Sequence, residues 1–380
     1  VNVNHTTTAI AVSRCGIVLL FGGLAAACID QGTPLEENTL ESNPSIESLS
    51  SSVIRVPLPG ETHFANLKQL TFEGENAEAY FSSDGEQLIF QRRHQGEYDC
   101  DQIFTISVAG GQPTLVSTGL GRTTCAYFFP DTERILYSST HLASEECPPP
   151  PDFRQGYVWA LYNFDIFTAA PDGSDIQILF QTSGYDGEAT IAPDGSQIVF
   201  TSTIGGDLDI YSMDPDGQNV RQLTDEIGYD GGAFYSPDAS KIVYRARYPE
   251  SEDELADYQR LLTDNLVRPG VLDIYVMDAD GSNKQRLTDN GAANFAPFFH
   301  PSGEKVIFAS NVHDPDSRNF DLFLINIDGT GLEQITFSEE FESFPMFTPD
   351  GGHLVFASNR NGSHDGNTNL FIAEWIEDSR

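Results

Sequence analysis

One polar position returns six times in this sequence: Asn76, Thr123, Asp186, Asp230, Asn294 and Glu342 coincide when its repeated units are aligned on a turn residue. Three of them are carboxylates, and hard cations such as Ca2+ are held by carboxylate and amide oxygens. Two residues further on, Glu78 and Glu188 point the same way if the chain alternates as a strand. Gathered around one opening, Asp186, Asp230 and Glu342 would repel one another, and a bound Ca2+ or cationic ligand would relieve that. Asn76, Glu78, Asp186, Glu188, Asp230, Asn294 and Glu342 therefore form the expected binding rim, with Asp186, Asp230 and Glu342 as its metal ligands. The plainer reading is that these groups hydrogen-bond neighbouring elements.

Two insertions, 141–163 and 246–272, fall on the same side as that rim. The first carries Cys147 and the stiff run Pro148 to Pro151. Its Tyr157 and Trp159 are a candidate ligand shelf. The second carries Ser251-Glu252-Asp253-Glu254, a capping box, ahead of Leu255, Tyr258, Leu261 and Leu262 on one helical face. A short helix beside the site is predicted. No Gly-x-Ser-x-Gly, His-Glu-x-x-His or Cys-x-x-Cys occurs, so no catalytic residue is assigned. Cys100, Cys125 and Cys147 map to the same side, and an oxidising compartment would join one pair of them. Cys147, on the insertion, is the expected member of that pair; its partner stays open.

The elements that must position these residues repeat from Leu67 onward. Each unit is an apolar strand, a turn and a second strand, as in Ala189 to Phe200. The turn recurs as Ser83-Asp84-Gly85, Pro130-Asp131-Thr132, Pro193-Asp194-Gly195, Pro237-Asp238-Ala239, Pro301-Ser302-Gly303 and Pro349-Asp350-Gly351. A third strand follows, such as Asp209-Ile210-Tyr211, then a second turn, Asp214-Pro215-Asp216-Gly217, and a fourth strand ending Gln222-Leu223-Thr224. The turn residues at 84, 131, 194, 238, 302 and 350 are spaced 47, 63, 44, 64 and 48 apart. Four strands in about 45 residues is the pattern of a propeller blade, and two blades carry the insertions. Long amphipathic helices are scarce.

The sixth unit ends near Trp375 without a fourth strand, whereas Leu67-Lys68-Gln69-Leu70-Thr71 has the fourth-strand pattern before any first strand. The predicted fold is all-β: a six-bladed β-propeller over 64–380, closed by an N-terminal strand that completes the last blade.

The tandem Pro-Asp-Gly, Ile-Val-Phe, Asp-Ile-Tyr, Asp-Gly, Gln-Leu-Thr unit resembles the repeat of TolB-type β-propellers, from Leu67 to about Trp375. TolB itself serves the Tol–Pal envelope system and has an α/β domain ahead of its propeller, a pattern missing from the stretch before these blades. The same repeat occurs in propellers attached to peptidases and in propeller lyases, so the resemblance implies a fold ahead of a function.

Arg14 and the apolar run Ile17 to Leu24 lead to Ala25-Ala26-Ala27-Cys28, which resembles a bacterial lipobox. Residues 1–27 are read as a signal peptide, Cys28 as the acylated residue, and 28–63, rich in Ser, Glu, Asn and Pro, as a flexible tether. Twenty Lys and Arg against 57 Asp and Glu give a net charge of −37, which excludes nucleic acid and leaves membrane contact to the lipid alone. The expectation is an exported monomer in the periplasm or at the cell surface, an outer-membrane lipoprotein. It would bind an envelope protein or peptide without catalysis. The alternative is a propeller enzyme acting on a carbohydrate, or a small-ligand or cation-binding protein using the same face.

Overall fold

Each unit folds as an antiparallel sheet whose turns, and in four blades a closing threonine, are fixed by local hydrogen bonds. The computed structural model describes residues 52–130, 134–364 and 366–377; the expected signal peptide, residues 1–27, and Cys28 lie outside them. In the third blade the strands Asp186–Ile191, Ile198–Ser202, Asp209–Met213 and Arg221–Gln222 lie in that order across the sheet. At its first turn, Asp194 accepts the Ser196 N–H at 2.9 Å while Gly195 takes φ +72°. At its far side, Thr224 Oγ1 accepts the Ile210 N–H at 2.9 Å and donates to Asp209 at 3.3 Å. The same clasp recurs at Thr288 with Ile274 and Asp273, Thr336 with Leu322 and Asp321, and Thr71 with Leu370 and Asn369. The closing Thr and the Asp or Asn opening the third strand are thus two halves of one structural device in these four blades. The middle strands, such as Ile-Val-Phe at 198–200, are buried on both faces between neighbouring blades.

The first strands touch in a closed circle: Glu75–Phe81, Thr123–Phe128, Asp186–Ile191, Tyr229–Tyr235, Asn294–Phe299, Glu342–Phe347 and back to Glu75–Phe81. Six blades therefore surround one central channel.

In the last blade, Phe64–Gln69 pairs antiparallel with Asn369–Trp375, placing Phe64 opposite Trp375 and Gln69 opposite Phe371. Val53–Ile54 pairs outside it with Lys68 and Gln69. The expected tether is thus corrected over 52–63, which packs on the blade. Two buried anchors explain why: Glu61 bonds Arg360, and His63 stacks on Trp375 at 4.5 Å. A few such contacts order a segment whose composition alone offers little apolar surface.

Candidate functional site: a roofed channel mouth

The six aligned residues open the first strands, and all six are fully buried. The backbone N–H groups of Asn76, Asp186, Asp230, Asn294 and Glu342 donate at 2.9–3.1 Å to carbonyls just before the third strand of the preceding blade. Their side chains are held within their own surroundings. Asp186 accepts from Ser202 at 2.6 Å, Asn294 from Ser310 at 2.7 Å and Glu342 from Ser358 at 3.0 Å; Thr123 bonds Ser139 at 2.9 Å. In the fourth blade Ala246 stands opposite Asp230, and Tyr248 donates to the carboxyl instead, at 2.7 Å.

This corrects the expected rim at Asn76, Asp186, Asp230, Asn294 and Glu342: they stitch blade to blade and are closed to a partner. It also corrects the expected Ca2+ site at Asp186, Asp230 and Glu342. Among the described residues no group of three or more His, Cys, Asp or Glu is arranged to hold a metal. Burial pushes Asp230 up to about 8 and Glu342 up to about 7.

The residues that face the channel lie two further on. Every first strand has a bulge, and the bulged residues Glu78, Cys125, Glu188, Gly232, Ala296 and Phe344 share φ between +51° and +61°. All six line one small inner cavity of about 30 Å³. One step deeper, Tyr80, Tyr127, Phe234 and Phe298 pack with ring centroids 5.3–6.2 Å apart and plug the channel. Beyond the plug, prolines of the first turns ring an apolar basin of about 420 Å³.

Arg245, from the second strand of the fourth blade, reaches into the channel and pairs with Glu188. Its Nε donates to Tyr229 Oη at 2.8 Å, and its guanidinium lies 5.5 Å above the Trp159 ring. Gly232 makes the room, since a Cβ there would fall 2.1 Å from Arg245 Nη1. Glu188 also accepts from the Gly232 N–H and from Thr201, both at 2.9 Å. Glu78, by contrast, has the Cys125 thiol as its side-chain partner, and burial pushes it up to about 7.

The two insertions meet above the channel. Trp159–Ala160 of the first pairs antiparallel with Leu266–Val267 of the second, and the Leu161 N–H donates to Asn265 O at 2.8 Å. The second insertion begins at Tyr248, because the strand Lys241–Arg247 runs past Ala246. Its helix spans Glu252–Thr263, capped by Ser251, which accepts the Glu254 N–H at 3.2 Å, and it buries Leu261. Tyr258 anchors this helix by donating to Gly228 O at 2.5 Å. A disulfide joins Cys147 to Cys100 in the first blade, leaving Cys125 as the free thiol among the described residues. At the edge of the roof Phe153 and Tyr157 are more than half exposed and stack at 6.2 Å.

Beneath this roof is a chamber of about 340 Å³ lined by Tyr157, Trp159, Glu78 and Glu188. The same walls contain Gln91, Asp101, Arg122 and Cys125. Arg245 and Gln91 were not among the sequence candidates. Arg245 had a signal, a charge inside the strand Lys241–Arg247 between the apolar run Ile242-Val243-Tyr244 and Ala246.

Solved structures share this architecture. A protein designated TolB from Agrobacterium tumefaciens superposes with a TM-score of 0.52 at 20% identity, over 80% of this chain and 91% of its own. The fold is a TolB-like β-propeller. TolB from Acinetobacter baumannii gives 0.51 at 19% identity; 80% of the present chain corresponds to 65% of that one. An oligogalacturonate lyase in complex with manganese gives 0.50 at 15% identity, over 86% of this chain and 97% of the lyase. No family model and no curated protein matches the sequence. These identities establish the TolB-like fold alone.

Proposed function

We propose that the chain is an exported envelope propeller, anchored by a lipid on Cys28, whose roofed channel mouth binds a protein or peptide partner without catalysis. The observation that carries this reading is the strand pairing between the insertions. It spends two long loops on a chamber and leaves the Phe153–Tyr157 pair of its wall more than half exposed. Exposed aromatics beside a pocket are the usual anchors of a partner surface. Periplasmic or cell-surface placement follows from the lipobox and suits a disulfide-bonded roof.

The test is capture from detergent-solubilised envelope on the immobilised mature protein, beside a control in which residues 148–161 are replaced by a short Gly-Ser linker. A partner held by the intact protein and lost with the roof supports the reading. Equal capture by both proteins, or none by either, rejects it.

A second reading, an enzyme acting on a carbohydrate, draws on one observation. Two carboxyls of one cavity, Glu78 and Glu188, sit in different environments, the first raised by burial and the second paired with Arg245. Turnover of acidic or neutral oligosaccharides that is lost in both Glu78→Gln and Glu188→Gln would favour it.

A further inference from the structure

The charges around the roofed chamber do not balance. Three carboxyls line it, Glu78, Asp101 and Glu188. Glu188 is matched by Arg245. Asp101 is matched by Arg122, whose Nε lies 3.4 Å from Asp101 Oδ2 and whose guanidinium carbon lies 5.4 Å from the Tyr162 ring centre. Glu78 remains. Its thiol partner, Cys125, is a weak donor; the Arg245 charge acts on it from a distance but is bonded to Glu188, and no ion pair forms at Glu78 among the described residues.

A second acceptor is also unsatisfied on that wall. Gln91 stands opposite Ala77, next to Glu78, across the first two strands of the first blade. Its side-chain carbonyl is buried without a hydrogen-bond partner, and it lines the same chamber. Such an orphaned acceptor is costly unless a donor reaches it. A carboxyl and an amide carbonyl, adjacent and both short of donors, call for a ligand that brings several N–H groups and one positive charge.

We infer that the chamber is a binding site for one ammonium or guanidinium group on a slim apolar stem, with Glu78 as counter-charge and Gln91 Oε1 as second acceptor. The inference rests on the binding reading above and names the chemistry the partner presents. Aromatic walls shield the pair from water and so strengthen it. Three wall rings already carry an arginine: Trp159 under Arg245, Tyr162 under Arg122 and Tyr157 under Arg318. An anionic group would meet the unmatched Glu78, and a neutral saccharide would leave it uncompensated. The net charge of −37 draws cations toward the mouth.

Binding is read by fluorescence of Trp159 in the mature protein, with a Trp375→Phe background that removes the other indole. The probes are n-butylammonium, n-butylguanidinium, neutral n-butanol, and the acetylated, amidated tripeptide Gly-Lys-Gly. Saturable binding of the cations is expected, at least tenfold tighter than n-butanol and at least tenfold weakened in Glu78→Gln. Tighter binding of the tripeptide than of n-butylammonium assigns a peptide source for the cation; the reverse assigns a free amine. Gln91→Glu should tighten cation binding and provides the readout if Glu78→Gln folds poorly. Equal affinity for n-butanol, or cation binding unchanged in Glu78→Gln and not tightened in Gln91→Glu, overturns the inference. An envelope partner still captured by Glu78→Gln but lost with the roof would reject the cation site while keeping the binding surface.

Discussion

Arg360 Nη1 donates to Glu61 Oε2 at 3.1 Å across 299 residues of chain, and both side chains are buried. The same guanidinium pairs with Glu342, which opens the first strand of the last blade. One arginine thus locks the N-terminal segment, the last blade and the inter-blade stitch together.

Glu61→Ala should therefore destabilise the propeller by about 3 kcal/mol, at the lower end for a broken buried pair because Arg360 keeps Glu342. Urea unfolding followed by Trp375 fluorescence measures this. Deleting Phe64–Gln69 should go further and cause aggregation, since it strips the outer strands from Asn369–Trp375 and leaves an edge. A truncated protein that stays monomeric with an unchanged melting temperature would refute closure by that strand.

Stability should rise as pH falls from about 8 toward 5. Burial pushes Asp230 up to about 8 and Glu342 and Glu78 up to about 7. Their unfolded values lie near 4. Between those limits the folded state binds more protons than the unfolded one, so the stabilisation is complete below the unfolded value and is lost as pH rises through the folded one. Asp230→Asn should remove about 1.4 kcal/mol per pH unit of that slope between pH 5 and 7. Melting temperatures at fixed ionic strength across this range check it, and a mutant slope equal to wild type would contradict it.

Gly232→Ala should expel Arg245 from the channel, because the new Cβ would occupy the place of Nη1. Glu188 would lose its cation, at a cost of about 3–5 kcal/mol, close to that of Arg245→Met. The double variant should cost little more than either single one. Additive losses would show that the glycine and the arginine act separately.

Reducing the Cys100–Cys147 bond should free the roof while sparing the blades. The bridged residues are 47 apart, and a loop of that length loses about 4 kcal/mol of chain-entropy stabilisation when opened. Hydrogen exchange should accelerate at Trp159–Ala160 and Leu266–Val267 and stay slow in Ile198–Ser202. Cys125, whose thiol burial holds well above its ordinary pKa, should resist thiol reagents until the protein unfolds.

The blades were legible because short-range chemistry specifies them: an Asp in five of the six first turns, an Asp or Asn opening five of the third strands, and a Thr clasping the fourth strand in four blades. The capped helix at Ser251 was legible for the same reason. The channel lining was displaced by two residues because a bulge interrupts the alternation on which the aligned column depends. Glu, Cys, Ala and Phe at the left-handed position carry no sequence signal for it; only Gly232 does. The roof joins two strands of two residues each, too short to show periodicity. The partner of Cys147 depended on that three-dimensional arrangement as well.

The repeated left-handed residue has a consequence for how such a molecule diversifies. Glu78, Cys125, Glu188, Gly232, Ala296 and Phe344 stand outside the strand-to-strand pairing of their own blades. Changing the side chain at one of them leaves the register of every strand untouched. The lumen can therefore be rewritten one letter at a time, like a combination lock with a dial on each blade. Selection can retune what enters while the frame that displays it is inherited unchanged.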